Sequence, residues 1–512
     1  MISKKNTNLL WNIFLLLFGI GMILILILCI MKTENHLPID KMIILPTIFV
    51  GFFSTLYFWR IKINQKNDLE GILQKITPVA LPVFIVLYGI ALYVIAIYGR
   101  CNPVNDQNAV YQGALYLAGL ADDISWEYFA RCNNNVMPTV ILSVIFRVGS
   151  LGGNVDPYYF AVLLDVIQVM LAMYCLFQLG NRRNKLFSAW MGMLMLAMYF
   201  FPIASHTLSF YTDAMSFSLG ITGFYLWEKN GHGEKRQEDF VQGKDKEKDK
   251  TKCFIQTLFI GMLFGLAAII KITAMIPLIA MLGYNIIKKD KKSFGRLLCV
   301  LALSIVFFAM CNYATTFLPS ESLRDAYGTP KLSYWIGIGL KGNGGYIDNQ
   351  DYAAQLNTIY GMEEKSAWSN EYIMENLHEF WNKDHIVSKL RYNFANGDLG
   401  GGVFVQTAAS DNLFFKLMHY NGEYFWRYTM VMTGLMYAAY ACIIIGICVN
   451  FIKKQEPDSI YVVALLSVFG IMVYVMLFEA NHRQLYNHLP WFILAAECGL
   501  ADLWNKMIQR RK

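Results

Sequence analysis

The sequence predicts an all-α polytopic membrane protein with about twelve transmembrane helices. Three observations predict it. The 512-residue chain is 56% hydrophobic with a mean hydropathy of +0.37. Only 16% of its residues are charged, against roughly a quarter in a soluble globule. Its apolar runs repeatedly approach or exceed the ~20 residues that carry a helix across a bilayer. The runs fall near 9–31, 42–59, 78–98, 158–180, 186–203, 209–227, 254–270, 272–287, 297–318, 427–450, 459–478 and 486–504. The first has no small-residue cleavage site behind it, so it reads as a retained span and not a signal peptide.

Charge placement orients these spans. Lys and Arg gather at 60–75, 181–185, 288–296, Lys453-Lys454, Lys4-Lys5 and 510–512. The positive-inside rule puts those segments, and both termini, in the cytoplasm. The net charge of +7 is therefore topology and not a nucleic-acid footprint. The apolar stretch 137–149 tests the scheme. As a span it would send Asn181-Arg182-Arg183-Asn184-Lys185 outside. It reads instead as an interfacial helix, and 108–120 as a second. The Lys/Glu/Asp run 228–252 reads as a solvated cytoplasmic loop. Segment 319–426 is long, aromatic-rich and not apolar enough to span. It is expected to be an extracytoplasmic subdomain with a turn-rich loop at 337–346 and helices at 371–381 and 384–394. The chain thus divides into two N-terminal spans (1–77), a membrane module (78–318) with outer loop 99–157, the subdomain 319–426, and C-terminal spans (427–512).

Ten cysteines are present and none forms a C-x-x-C pair. Cys101 and Cys132 share one outer loop, where a disulfide and two free thiols are both open. There is no phosphate-binding glycine loop of the Walker type, no dinucleotide fingerprint and no His/Cys metal spacing. No cofactor is expected, although carboxylates alone leave a weakly held divalent metal open.

Charged side chains recur at the outer membrane edge, where they are costly. Asp106, in Asn105-Asp106-Gln107, follows a span and Pro103. It is placed to take a proton from an attacking hydroxyl, or to cap the helix that follows. Asp213, in His206-Thr207-Leu208-Ser209-Phe210-Tyr211-Thr212-Asp213, sits at an outer helix start with the same two readings. Lys271 interrupts an apolar stretch. Its ammonium suits a phosphate, or it snorkels without a ligand. Arg483, in Glu479-Ala480-Asn481-His482-Arg483-Gln484-Leu485-Tyr486, opens the last span. Its guanidinium grips a phosphate through two parallel bonds, or pairs with Glu479 four residues earlier.

These pieces together resemble the GT-C glycosyltransferases, in the branch of protein mannosyltransferases and aminoarabinose transferases, and more narrowly their large Gram-positive bacterial members. The resemblance covers about 78–504. It rests on Val104-Asn105-Asp106-Gln107, Tyr128-Phe129-Ala130-Arg131 with Asn133-Asn134-Asn135, Phe210-Tyr211-Thr212-Asp213, Lys271-Ile272-Thr273-Ala274, the region from Trp335 to Tyr346, Trp426, and Arg483-Gln484-Leu485-Tyr486. The chain departs from relatives in lacking a Pro after Lys271 and in carrying His482-Arg483-Gln484. The resemblance implies a sugar donor on a polyprenyl phosphate and an acceptor in the cell envelope, whether polymer, glycolipid or protein. It implies catalytic roles for Asp106 and Asp213, and donor-phosphate contacts from Lys271, Arg483 and Tyr486. Acceptor or sugar contacts would come from Gln107, Asn134, His206, Trp335, Tyr346 and His419. It also implies a bacterial cytoplasmic membrane with the active site outside. Two other readings stay open. A transporter of lipid-linked sugars would place polar residues through the midplane, as Asp165 does. A non-catalytic scaffold would leave the outer charges unclustered.

Overall fold

The computed structural model describes residues 4–31, 37–66, 68–153, 155–229, 246–315, 318–453 and 458–509. Most of the run 228–252 lies outside them. The described residues form helices and turns with no strand. In chain order they begin with α1 (Lys4–Met31), α2 (Ile39–Lys66), α3 (Leu69–Tyr98), α4 (Asn105–Ala118), α5 (Trp126–Arg131), α6 (Val136–Ser150) and α7 (Pro157–Asn184). Next come α8 (Leu186–Ala197), α9 (Phe200–Thr207), α10 (Thr212–Met215), α11 (Leu219–Lys229), α12 (Lys246–Ile270), α13 (Ile276–Lys288) and α14 (Lys291–Thr315). Segment 319–426, the expected outer segment, holds α15 (Glu321–Tyr327), α16 (Ser333–Ile338), α17 (Gln350–Thr358), α18 (Met362–Glu375), α19 (Lys383–Phe394) and α20 (Leu413–Met418). The chain closes on α21 (Phe425–Lys453), α22 (Ser459–Leu477) and α23 (Leu489–Gln509).

Among the described residues, eight helices are long and apolar enough to cross a membrane, which makes this a multi-pass membrane protein. The pair α8 and α9 is apolar enough only taken together and is bent by 61° at its break, the geometry of a broken span or a re-entrant loop. The three remaining expected spans depart from a continuous apolar helix. Segment 209–227 is broken at 216–218 into α10, which carries Asp213, and α11. Segment 272–287 opens with a 3-10 turn, Ile272–Met275, after Lys271. The last is preceded by the 3-10 turn His482–His488 and carries Glu497 and Asp502, both buried. Polar side chains interrupt the first two of these segments, while the last stays one continuous helix, α23, that carries buried charge.

The centre of that bundle is the crossing of α21 and α23. A Cβ on Gly446 would lie 2.3 Å from the Gly499 Cα, so only two facing glycines let the backbones meet this closely. The first two helices, without a role from sequence, pack against this crossing and its neighbours. Phe14 and Phe18 of α1 meet Phe469 edge-on, and Phe58 of α2 meets Trp504.

At one end of the bundle Arg183 ties three elements together. Its Nε donates to Asp458 at 2.6 Å and its Nη2 to Asp502 at 2.9 Å, and Asn450 also donates to Asp502 at 2.6 Å. Removing one partner of a buried pair strands the other charge. Arg183→Ala is therefore expected to cost about 3–5 kcal/mol, read as a lowered melting temperature in detergent. An unchanged melt would show that Asp502 is satisfied without it.

The outer segment has its own small core, in which Tyr334, Ile338, Tyr352, Ala353 and Leu356 are covered by Trp335, Trp368 and Tyr372. The expected helix at 384–394 is α19. The one at 371–381 is split, because Asn376 folds its side chain back onto the Tyr372 carbonyl at 2.8 Å and ends α18. Residues 377–381 continue as a 3-10 turn. The buried Lys389 fastens this segment to the membrane helices, donating to the carbonyls of Gly339 (2.7 Å) and Met476 (3.0 Å). Of the two possibilities for Cys101 and Cys132, the structure has free thiols. The Cys101 thiol donates to the Phe404 carbonyl at 2.9 Å, and burial pushes the Cys132 thiol up to about 12.

Candidate active site

Asp106, Asp213, Lys271 and Arg483 converge. Asp106 lies in the first turn of α4, whose N-cap is Val104, so its carboxylate is not spent as the cap. The Tyr211 hydroxyl donates to it at 3.3 Å. Asp213 lies in α10 one residue past its first position, is fully buried, and takes the Lys271 ammonium in an ion pair. Lys271 therefore does not snorkel. It stands in extended backbone between α12 and the following 3-10 turn, turned inward to Asp213.

Arg483 lies between the two carboxylates. Its Nη2 is 4.0 Å from Asp106 and its Nε is 4.0 Å from Asp213. At such separations charges attract without forming hydrogen bonds. The guanidinium also lies over the Tyr211 ring, 5.1 Å from its centroid. Its side chain is 21% exposed and its N–H fork is left with donors to spend. Glu479 is half-buried close by. Burial raises its carboxyl to about 7, with Arg483 pulling it down and Asp106 pushing it up.

The backbone pays for this convergence locally. Asn105 (φ 47°) and Phe210 (φ 39°), just before Asp106 and Tyr211, are non-glycine residues in the left-handed region. Such residues cost on the order of 1–3 kcal/mol and persist where the surroundings impose them. Here the imposed result is that the two turns aim Asp106 and Tyr211 at each other. A loop of the outer segment closes over the far side. A Cβ on Gly400 would come within 2.6 Å of the Arg483 Cβ, so the loop can approach only as glycine. Ala480 donates its N–H to the Gly344 carbonyl at 2.8 Å, which seats the turn-rich loop beside the Arg483 turn.

The other expected contacts divide. Gln107 is buried and structural, receiving the Val104 N–H at 3.4 Å and donating to the Leu208 carbonyl at 3.5 Å. His206 and Tyr486 are fully buried in a parallel stack, ring centroids 3.6 Å apart, with the His206 Nε2 on the Leu399 carbonyl at 2.9 Å. They support the Arg483 turn from behind and have no surface at the ionic cluster. Asn134 is exposed and donates to the Asn135 side chain at 3.2 Å. Trp335 belongs to the core of the outer segment and Tyr346 stands 43% exposed on it. His419 stacks on Phe415 at 4.3 Å. Sequence reasoning missed three members of the cluster. Tyr211 binds Asp106, and Asn135 donates to both Tyr211 (3.1 Å) and Tyr128 (2.6 Å). All three stand in the motifs of the resemblance, beside residues chosen for their charge. Among the described residues no three His, Cys, Asp or Glu side chains gather in a metal-holding group.

No family model matches the chain, and no curated protein matches it. Solved structures similar to it include the following three. ArnT from Cupriavidus metallidurans bound to undecaprenyl phosphate aligns with a TM-score of 0.35 and 12% identity, over 83% of this chain and 78% of that one. The Archaeoglobus fulgidus oligosaccharyltransferase in its apo form aligns at 0.26 and 9%, over 81% of this chain and 56% of that one. The archaeal oligosaccharyltransferase AglB from Archaeoglobus fulgidus, with an inhibitory peptide and a dolichol-phosphate, aligns at 0.26 and 10%, over the same shares. At TM-scores this low the likeness carries no argument about family or activity.

Proposed function

We propose that the protein is a membrane glycosyltransferase that moves a sugar from a polyprenyl-phosphate donor to an extracytoplasmic acceptor. The observation that carries this reading is the Arg483 guanidinium. It stands 4.0 Å from two carboxylates with its N–H fork unspent, beside a half-exposed Asp106. A cation held so, within reach of lipid, suits a phosphate ester leaving group, whose charge it would stabilise as the bond to the anomeric carbon breaks. Lys271 adds positive charge, and Asp213 holds it in place. Asp106 accepts the proton of the acceptor hydroxyl as that oxygen attacks. The Tyr211 hydrogen bond fixes the carboxylate's direction. The displacement is direct and inverts the anomeric carbon.

Sidedness supports the extracytoplasmic placement. The Arg183 cluster and Lys288 lie at the opposite ends of α7 and α13 from the site, where basic residues mark the cytoplasm. Asp165, the residue a transporter would use, is fully buried and opens onto no surface.

The test is transfer of radiolabelled sugar from a polyprenyl-phosphate donor by the purified protein in nanodiscs. Binding of the lipid donor without any transfer to an envelope acceptor would sink the enzyme and favour the transporter. A pH dependence follows from Glu479. Its carboxyl is neutral below about 7 and ionised above it. Once ionised it competes with the phosphate for Arg483. Donor affinity is expected to weaken as pH rises through neutrality, and Glu479→Gln to abolish that step. A step that persists in the variant would assign it to another group.

A further inference from the structure

Behind the Arg483 turn, a cavity of about 440 Å³ opens on the outer segment, lined among others by Asn396, Asp398, Gln406, His419, Tyr420 and His482. It adjoins the turn that carries Arg483. His482 lines it and Arg483 is the next residue. The loop 398–402 presents Asp398 and Gly402 to the cavity, while Gly400 presses on Arg483. The volume is in the range of small-ligand sites.

The lining narrows the chemistry. No lysine or arginine lines the cavity, so it holds no fixed positive charge for a phosphate or another anion. Its one carboxylate is spent inward. Asp398 Oδ2 accepts from the Gly402 N–H at 3.1 Å and Oδ1 from the Tyr428 hydroxyl at 3.2 Å. It shapes the loop and offers little to a cation. The groups left for a ligand are uncharged. Asn396 uses its Oδ1 on the Asp398 N–H at 2.9 Å, which leaves its NH₂ to donate, and Gln406 is exposed with both amide functions available. Carboxamides of this kind donate and accept at adjacent atoms, which matches neighbouring hydroxyls. Beside them His419 stacks on Phe415 (4.3 Å) and meets Tyr420 at a tilt of 34° (4.5 Å), and Tyr420 is 69% exposed. A rigid aromatic ledge left open to water at the rim of a polar cavity gains by being covered with C–H surface. A pyranose ring presents both features, an apolar C–H face and a rim of hydroxyls.

We propose that this cavity seats an uncharged, hydroxyl-rich sugar unit, which on the transferase reading is part of the acceptor. A unit seated there lies beside the turn that carries Arg483. With no lysine or arginine in the lining, a neutral unit is favoured over a phosphorylated one at that position.

The experiment is a glycan array probed with the full chain in nanodiscs, prepared without glycoside detergents, whose headgroups would compete. The array carries neutral oligosaccharides, phosphorylated glycans and peptides. Binding to a neutral oligosaccharide is expected, weakened at least tenfold by Gln406→Ala and by His419→Ala. Asn343→Ala, at a separate cavity, should leave it unchanged. The exposed Gln406 can be removed without threatening the fold, and a melt on each variant checks it. No neutral glycan bound, preference for phosphorylated glycans or peptides, or equal binding by both variants would overturn the assignment. Polyprenyl-phosphate binding is measured on the same samples. Lipid binding without neutral-glycan binding overturns the cavity assignment alone. Glycan binding without lipid binding overturns the transferase reading and leaves the cavity a saccharide site.

Discussion

Asp106→Asn is expected to lower sugar transfer by about 10²–10⁴-fold while the protein still folds into the membrane. The carboxylate side chain is 41% exposed and its cap position is taken by Val104, so the fold does not depend on its charge. The amide has nearly the same shape and keeps an oxygen for the Tyr211 hydroxyl, now 3.3 Å from Asp106. What it loses is the ability to take a proton. The drop should therefore fall on turnover, with donor binding little changed. Tyr211→Phe should show a smaller loss of the same kind, because the carboxylate would keep its basicity and lose only its orientation. Transfer by Asp106→Asn at the level of the unmodified protein would remove the base from the mechanism, and the site would then serve binding alone.

Arg483→Ala is expected to cost about 10²–10³-fold in transfer, and unlike Asp106→Asn it should also weaken polyprenyl-phosphate binding. The guanidinium sits between Asp106 and Asp213 and makes hydrogen bonds to neither. Its deletion leaves two carboxylates facing a phosphate with only Lys271 between them. Arg483→Lys should recover little. An ammonium is a point charge and cannot present two parallel N–H groups to one phosphate. It would also lose the stacking over Tyr211. Equilibrium binding of polyprenyl phosphate and single-turnover transfer separate the two effects. Unaltered lipid binding in Arg483→Ala would place the phosphate elsewhere, with Lys271 the remaining cation of the cluster.

Much of this was legible in the chain and part was not, for identifiable reasons. Among the described residues the eight crossing helices, and the bent pair α8 and α9, coincide with apolar runs, because transfer into lipid is summed over consecutive residues. The three segments outside that set contain Asp213, follow Lys271, or carry Glu497 and Asp502 within one continuous helix. There the hydropathy average hides a few polar groups whose partners decide the backbone. The charged members of the site were visible because ions at a membrane edge are rare. Tyr211, Tyr128 and Asn135 were not, because a tyrosine or an asparagine in an outer loop is common and its partner is not written beside it. Gln107, His206 and Tyr486 show the reverse. Their neighbourhood in sequence suggested contact with a ligand, yet they are buried as supports.

By itself the sequence determined that the chain is helical, that it belongs in a membrane and which ionic residues needed an explanation. These follow from composition and local periodicity, which act within a run of neighbours. Only the tertiary structure decided that Asp106, Asp213, Lys271 and Arg483 meet, that Lys271 turns inward to Asp213, and that Arg483 keeps its donors free. Those outcomes depend on contacts between distant parts of the chain, made where α4, α10, the turn after α12 and the turn before α23 pack together. A pairing of that kind is set by the geometry of the packed bundle, and no local pattern encodes it.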